Sequence, residues 1–251
     1  ELIASKPPVI QIPDTFTIKA RPTHSYRLGL DLNTFPEDWA LLWSLGHDAE
    51  VKAYYLDRIR SDRPSQFLDI GANFGLHSIL FASAGIPVHA FEPNPYCCKK
   101  FETICNLNGL DNDQVRIHAC GVSDDERQMT LSHPTNATWL GALSDLAGQE
   151  EPTKQKEKYT VKVTTIDRVV GIQHTPNALW KLDTEGHEAF VIRGAMETMR
   201  KFKPTLILEL RPSDQQETQL FELLKSLDYS VTPLSLPFTK KITNIIATSN
   251  S

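Results

Sequence analysis

Carboxylates close a series of short apolar runs along this chain. Asp69 lies in the run that starts at Phe67, and Glu92 follows Val88-His-Ala-Phe91. Val122, Ser123 and Asp124 follow the run that starts at Val115; Asp183 follows Leu179-Trp-Lys-Leu182, and Glu209 follows Leu206-Ile-Leu208. A carboxylate can take a proton from a hydroxyl or hold a diol. After Asp69 come Gly71, Ala72, Asn73 and Gly75, and a helical pattern begins at once. That is the signature of a buried strand turning sharply into a helix. The glycines let the backbone approach a ligand, and the helix N-terminus offers free N–H groups. A nucleotide-like ligand is expected, with Glu92 on its ribose hydroxyls.

The loop differs from a dinucleotide fingerprint. G-x-G-x-x-G would place a second glycine where Asn73 stands, at the point of closest approach to a pyrophosphate. The acid ahead of the first glycine also disfavours a phosphate-rich ligand and favours one with a cationic amino-acid end. S-adenosyl-L-methionine, with an ammonium, a sulfonium, a ribose and no phosphate, fits. NAD does not.

The elements that must position these groups alternate. Strands are expected over 67–70, 87–91, 115–120, 178–183 and 205–210, and helices over 75–84, 95–108, 187–201 and 214–227. This β/α alternation argues for a parallel sheet with helices on both faces. Ahead of it, a helix is expected over 47–60, an earlier helix start at 35–39, and short strands at 9–12 and 16–18. Residues 1–45 read as an N-terminal extension and 46–251 as the main domain. The polar stretch around 124–160 reads as an inserted ribbon and loop. Within it, a short strand is expected at 160–164, and Thr135, Asn136 and Trp139 are placed over an acceptor pocket.

Composition sets the class. The chain has 251 residues, 40% hydrophobic and 23% charged, with net charge -5. Lys154, Lys156, Lys158 and Lys162 are interspersed with Glu150, Glu151 and Glu157, so no basic run can track a phosphate backbone, and no nucleic-acid partner is expected. Cys97, Cys98, Cys105 and Cys120 form no C-x-x-C pair and read as buried reduced thiols. Asn136-Ala-Thr138 matches the glycosylation pattern, but no signal peptide or membrane span is visible, so a cytoplasmic location is expected. A start at Glu1 without Met suggests a piece of a larger, multidomain polypeptide.

Five segments occur in order: Asp69-Ile-Gly-Ala-Asn-Phe-Gly75, Phe91-Glu-Pro-Asn-Pro95, Gly121-Val-Ser-Asp124, Thr164-Thr-Ile-Asp167 and Lys181-Leu-Asp-Thr-Glu-Gly-His-Glu188. Together they resemble the FkbM family of S-adenosylmethionine-dependent methyltransferases, over roughly 45–247. The resemblance implies a class I methyltransferase (Rossmann-like) α/β sandwich and O-methylation of hydroxyls on sugars and related metabolites. It places Gly71, Ala72 and Asn73, between Asp69 and Gly75, along the methionine end of the cofactor. Glu92 would take the ribose, and Val122 with Ser123 would flank the adenine. A small-molecule or glycan acceptor would be the partner.

Methyl transfer to an alcohol needs alignment and a proton acceptor. Asp183 and Glu209, on adjacent strand ends, could form a carboxylate pair with one raised pKa, or could bind a divalent cation such as magnesium. His187, at a helix start, is a third candidate base. Glu185 and Glu188 read equally as helix caps, His77 as packing, and Trp180 and Lys181 as core or sheet-face residues. Two other readings stand beside this one. One is a methyltransferase for a nitrogen, protein or lipid acceptor. The other is a cofactor-binding module without catalysis.

Overall fold

The computed structural model describes residues 15–21, 24–29, 48–134, 141–144, 156–169, 172, 175–210, 214–234 and 244–250. The strand expected at 9–12, the helix start at 35–39, the residues Thr135, Asn136 and Trp139, and Lys154 lie outside the described residues. A hairpin of β1 (Thr15–Arg21) and β2 (His24–Gly29) forms a sheet of its own.

The central sheet is built from short apolar runs. Strands β3 (Phe67–Ile70), β4 (Val88–Phe91) and β5 (Val115–His118) lie on one side. On the other lie β10 (Leu179–Leu182) and β11 (Thr205–Glu209). All five are parallel. At the far edge, β13 (Asn244–Ser249) and β12 (Tyr229–Leu234) close the sheet antiparallel, giving the order β5-β4-β3-β10-β11-β13-β12. The strand order reverses between β3 and β10, which is where an open α/β sheet leaves a crevice at its carboxyl edge.

Side chains alternate between two cores because the strand period is two. Phe67, Val88, Leu179 and Ile207 face α1 (Ala49–Ser61), α2 (Leu76–Ser83) and α3 (Pro95–Leu107). Leu68, Ile70, Trp180, Leu182, Leu206 and Leu208 face α4 (Glu188–Arg193), α5 (Met196–Phe202) and α6 (Asp214–Ser226). The mostly parallel sheet with helices on both faces is thus present. Helix α1 buries Val51, Tyr55 and Ile59 at helical spacing. Helix α3 begins at Pro95, and the Asn94 side chain caps it by accepting from Tyr96 N.

Three expectations change. The single helix expected over 187–201 is broken at Gly194. A Cβ there would lie 2.0 Å from Ser123 O, so the chain bends to admit the neighbouring strand. The Asp167 carboxylate accepts from Glu197 N and Thr198 N and so starts α5 anew. The third strand also ends early, at His118. Gly121 and Val122 leave the sheet as β6 (Gly121–Val122) and join β7 (Arg127–Pro134), β8 (Ala142–Ser144) and β9 (Lys156–Thr164) in a second sheet of order β6-β9-β7-β8. Strand β9 starts well before 160, because its Lys/Glu alternation continues the pairing with β7.

Candidate functional site

The loop after β3 is held by its own neighbours. Gly71 N and Ala72 N both donate to Phe91 O at 3.0 Å, Asn73 N donates to Glu92 Oε2 at 2.8 Å, and Gly75 N donates to Ala72 O at 2.8 Å. These four amides are therefore already engaged, ahead of the first turn of α2 at Leu76. The glycines answer to packing. A Cβ on Gly71 (φ +85) would sit 1.9 Å from Asp183 O, and one on Gly75 (φ +77) would sit 2.1 Å from the Phe101 ring. Asn73 occupies φ 53, a left-handed conformation that asparagine tolerates better than most residues.

Beside this loop a cleft of about 600 Å³, including its open mouth, follows the carboxyl edge of the sheet. Gly71, Asn73, Glu92 and Val122 line it, as do Phe91, Asn94, Cys97, Leu131, Leu143, Asp183, Thr184 and Glu185. Ala72, Gly75, Asp69 and Ser123 are not in its wall. Asp69 is fully buried beneath it and accepts from Ser78 Oγ at 2.6 Å. Leu131 and Leu143 come from the second sheet and were not singled out in the sequence, although the apolar alternation of Met129 and Leu131 marked that face of β7.

Glu92 is aimed by the backbone. Its Oε1 accepts from Asn94 N at 2.7 Å while Oε2 accepts from Asn73 N. Burial pushes its carboxyl up to about 7, although both N–H donors work in the opposite direction.

Asp183 lines the other end of the cleft; Glu209, which is not in its wall, lies beside Asp183 and shares a side-chain hydrogen bond with it. Lys181 Nζ lies 2.7 Å from Asp183 Oδ2. Burial pushes Asp183 up, but the Lys181 ammonium and the Glu209 hydrogen bond outweigh it and bring the group to about 2. Burial, then the hydrogen bond to Asp183 and its charge, push Glu209 up to about 9. The pair thus carries one proton at neutral pH. Lys181 is only 2% exposed, so the strand lysine read as core or sheet face is the counter-charge of the acid pair. The signal was present: a lysine inside a doubly covered strand has no solvent to reach, and Asp183, two residues on, shares its face.

The Lys181 contact also bears on the metal. A divalent cation between Asp183 and Glu209 would face an ammonium already bonded to one carboxylate and a proton held by the other. This donor set does not fit a divalent ion, and no group of three or more His, Cys, Asp or Glu side chains among the described residues could hold one.

His187 turns away from the acid pair. Its Nε2 lies 2.9 Å from Ser123 Oγ, and its ring stacks on Phe190 with centroids 4.4 Å apart. At 6% exposure it ties β6 to α4 and does not line the cleft. Glu188 reaches back, its Oε1 accepting from Thr184 N at 2.9 Å, Thr184 Oγ1 at 3.0 Å and Gly186 N at 3.3 Å. This clip fixes the turn that presents Asp183, and within it Glu185 stands at φ 60 on the cleft wall.

The described lining includes Glu92, Asp183 and Glu185 but no Lys, Arg or His. Such a cleft suits a phosphate-free ligand with a cationic end, with Glu92 available to a diol. S-adenosylmethionine fits this set.

A family model described as the methyltransferase FkbM domain matches residues 69–231. Two solved structures are similar. One is a methyltransferase FkbM from Methylobacillus flagellatus, with TM-score 0.53, 16% identity and 84% of this chain covered. The other is an O-methyltransferase from Bacillus cereus in complex with SAH, with TM-score 0.52, 12% identity, and 84% of this chain and 86% of that one covered. The chain spans 58% of the Methylobacillus protein. At these identities the likeness is one of fold, the class I methyltransferase sandwich. Comparison with curated proteins gives no match.

Proposed function

Because the chain belongs to the FkbM methyltransferase family, we propose that it methylates a hydroxyl of a sugar or glycosylated metabolite. The chain is an S-adenosylmethionine-dependent methyltransferase. The hydroxyl acceptor rests on one observation, the Asp183 carboxylate in the cleft wall, held by Lys181 and by Glu209 beside it, at the far end from Glu92, which suits a ribose.

When bound, the cofactor supplies an electrophilic methyl on a sulfonium. Glu92, fixed by Asn73 N and Asn94 N, would hold the ribose hydroxyls. Asp183, ionised and anchored by Lys181, accepts a hydrogen bond from the acceptor hydroxyl and so orients the attacking oxygen. As the new C–O bond formed, the methyl–sulfur bond would break and leave a neutral thioether, and the oxygen, now far more acidic, would pass its proton to the Asp183 carboxylate. Glu209 keeps a hydrogen bond on Asp183 throughout, and its own proton lets the pair spread the one it gains. The cleft walls formed by Phe91, Val122, Leu131 and Leu143 limit water access. A cytoplasmic setting belongs to the same reading, supported by four free cysteines, three of them buried.

The test is a panel of sugar acceptors incubated with methyl-labelled S-adenosylmethionine. Labelled ethers are expected, and Asp183→Asn should slow their formation by about 10²–10⁴-fold while cofactor affinity in calorimetry stays within a few-fold. Label found on amines or proteins and never on hydroxyls would replace the acceptor class. An undiminished rate in Asp183→Asn would remove that residue from the chemistry.

A further inference from the structure

The two-residue period of the strands gathers charge on one face of the sheet. Asp69 of β3 and Lys181 of β10 are register partners, and Lys181 is also the partner of Ile207 on β11. Asp183 and Glu209 each lie two residues further along those strands, on the same face. This is the face that α1 and α2 cover with Val51, Tyr55, Ile79 and Phe81.

The covering helices bring charges of their own. Asp48 caps the approach to α1 in a left-handed conformation, φ 52. His77 Nε2 of α2 lies 3.5 Å from its Oδ2, and Asn244 Nδ2 of β13 lies 3.5 Å from its Oδ1. Lys52 of α1 and Lys181 both act electrostatically on Asp48. Asp48 in turn acts on Lys181, Asp183 and Glu209. The elements packed around the acid pair thus contribute Asp69 from β3, Lys181 from β10 and Asp48 from the approach to α1, with Lys52 and His77 acting on Asp48, and the buried Tyr55 hydroxyl feels Asp69, Asp48 and Asp183. Asp48 lies outside the region matched by the family model, residues 69–231.

Building on the methyl-transfer reading of the cleft, we propose that Lys181 and Asp48 are positioning residues for the Asp183–Glu209 pair, one contacting Asp183 and the other placed beside Glu209. Lys181 holds the Asp183 carboxylate in place through its 2.7 Å contact. Asp48, supplied from ahead of the matched region, lies 3.5 Å from the side chain of Asn244, the register partner of Glu209, and so places a second negative charge beside that acid.

The signs separate the two roles. Lys181 favours the ionised form of both Asp183 and Glu209, so its loss raises both titrations. Asp48 disfavours the ionised form of both, so neutralising it lowers them. A merely structural part for either residue would not move the midpoints in opposite directions.

The experiment is a carboxyl titration of the full chain, labelled with ¹³C at Asp and Glu side chains and followed by NMR, with Asp183→Asn and Glu209→Gln assigning the signals. In the native chain Glu209 should titrate near 9. In Lys181→Met the Asp183 midpoint should rise by about 2 pH units, an amount typical of losing a close opposite charge. In Asp48→Asn the Glu209 midpoint should fall. A Glu209 that titrates as an ordinary carboxyl in the native chain overturns the proposal, as does an Asp48→Asn midpoint that is unmoved or higher. If Lys181→Met does not fold, Asp48→Asn decides alone, because its side chain is 25% exposed and tolerates the change. Calorimetry with S-adenosylmethionine on the same native sample keeps the two readings apart. Failure to bind it would remove the methyl-donor reading and leave the titration standing. Binding with unmoved midpoints would remove only the Lys181–Asp48 role.

Discussion

Glu92 is the residue on which cofactor affinity should depend most visibly. Its carboxyl is pushed by burial to about 7, so near neutrality it exchanges between acceptor-only and protonated forms. Ribose hydroxyls donate to the carboxylate, so binding favours ionisation. The group's raised value means that affinity is complete above about pH 7 and is lost as pH falls through it. Calorimetry should show S-adenosylmethionine binding weaken by up to about tenfold per pH unit below 7, with proton release on binding near 7. Glu92→Gln should bind more weakly and lose most of that slope. A flat profile for the native chain between pH 5.5 and 8 would show that Glu92 does not meet the ligand. Residue identity conveyed part of this. The acid at the end of the second strand was legible because an isolated carboxylate after an apolar run has few other uses. Lys181 reads as a core or sheet-face residue, but its bond to Asp183 was missed, because a buried lysine shows which carboxylate it needs only once the two are seen on one strand face.

Elements explain why the glycines sit where they do. In the sequence, Gly71 and Gly75 read as room for a ligand; in the fold, Gly71 makes room for the end of β10 and Gly75 for a phenylalanine on α3. Gly71→Ala must displace Asp183 O, yet that residue is fixed in turn by its own N–H bond to Ile70 O. Steric overlap and a positive φ together should cost about 3–5 kcal/mol in urea unfolding, with loss of turnover through the shifted Asp183. Gly109 offers the control. It has φ +66 but nothing within 4 Å of an added Cβ, so Gly109→Ala should cost only about 1–2 kcal/mol from backbone strain. Equal costs would mean that the contact with β10 does not constrain the loop. The parallel strands were legible because each is a short apolar run bounded by turn residues. The break at Gly194 and the departure of β6 were not, since both answer to a tertiary approach, that of Ser123 to α4, which leaves no local signal beyond one glycine.

At the scale of the whole molecule, the cleft joins pieces that the chain order keeps apart. Its wall takes Gly71 from the loop after β3, Glu92 from the end of β4, Val122 from β6, Leu131 and Leu143 from β7 and β8, and Asp183 from the end of β10. A ligand that touches all of these ties the central sheet to the second sheet, and it can do so only in the native state. Binding then adds stability by mass action, about 2.7 kcal/mol when the free ligand is a hundred times its dissociation constant. For a chain of this length that corresponds to a rise of about 5–10 °C in Tm. S-adenosylmethionine at such a concentration should produce that rise in a thermal melt, and hydrogen exchange should slow in β7 and β8 as well as in the loop after β3. NAD at equal concentration should leave Tm where it was, because Asn73 stands where a pyrophosphate needs glycine and no described cationic side chain lines the cleft. A comparable shift with NAD would overturn the reading of the cleft as a phosphate-free site. Protection confined to the β3 loop would mean that the second sheet forms no part of it.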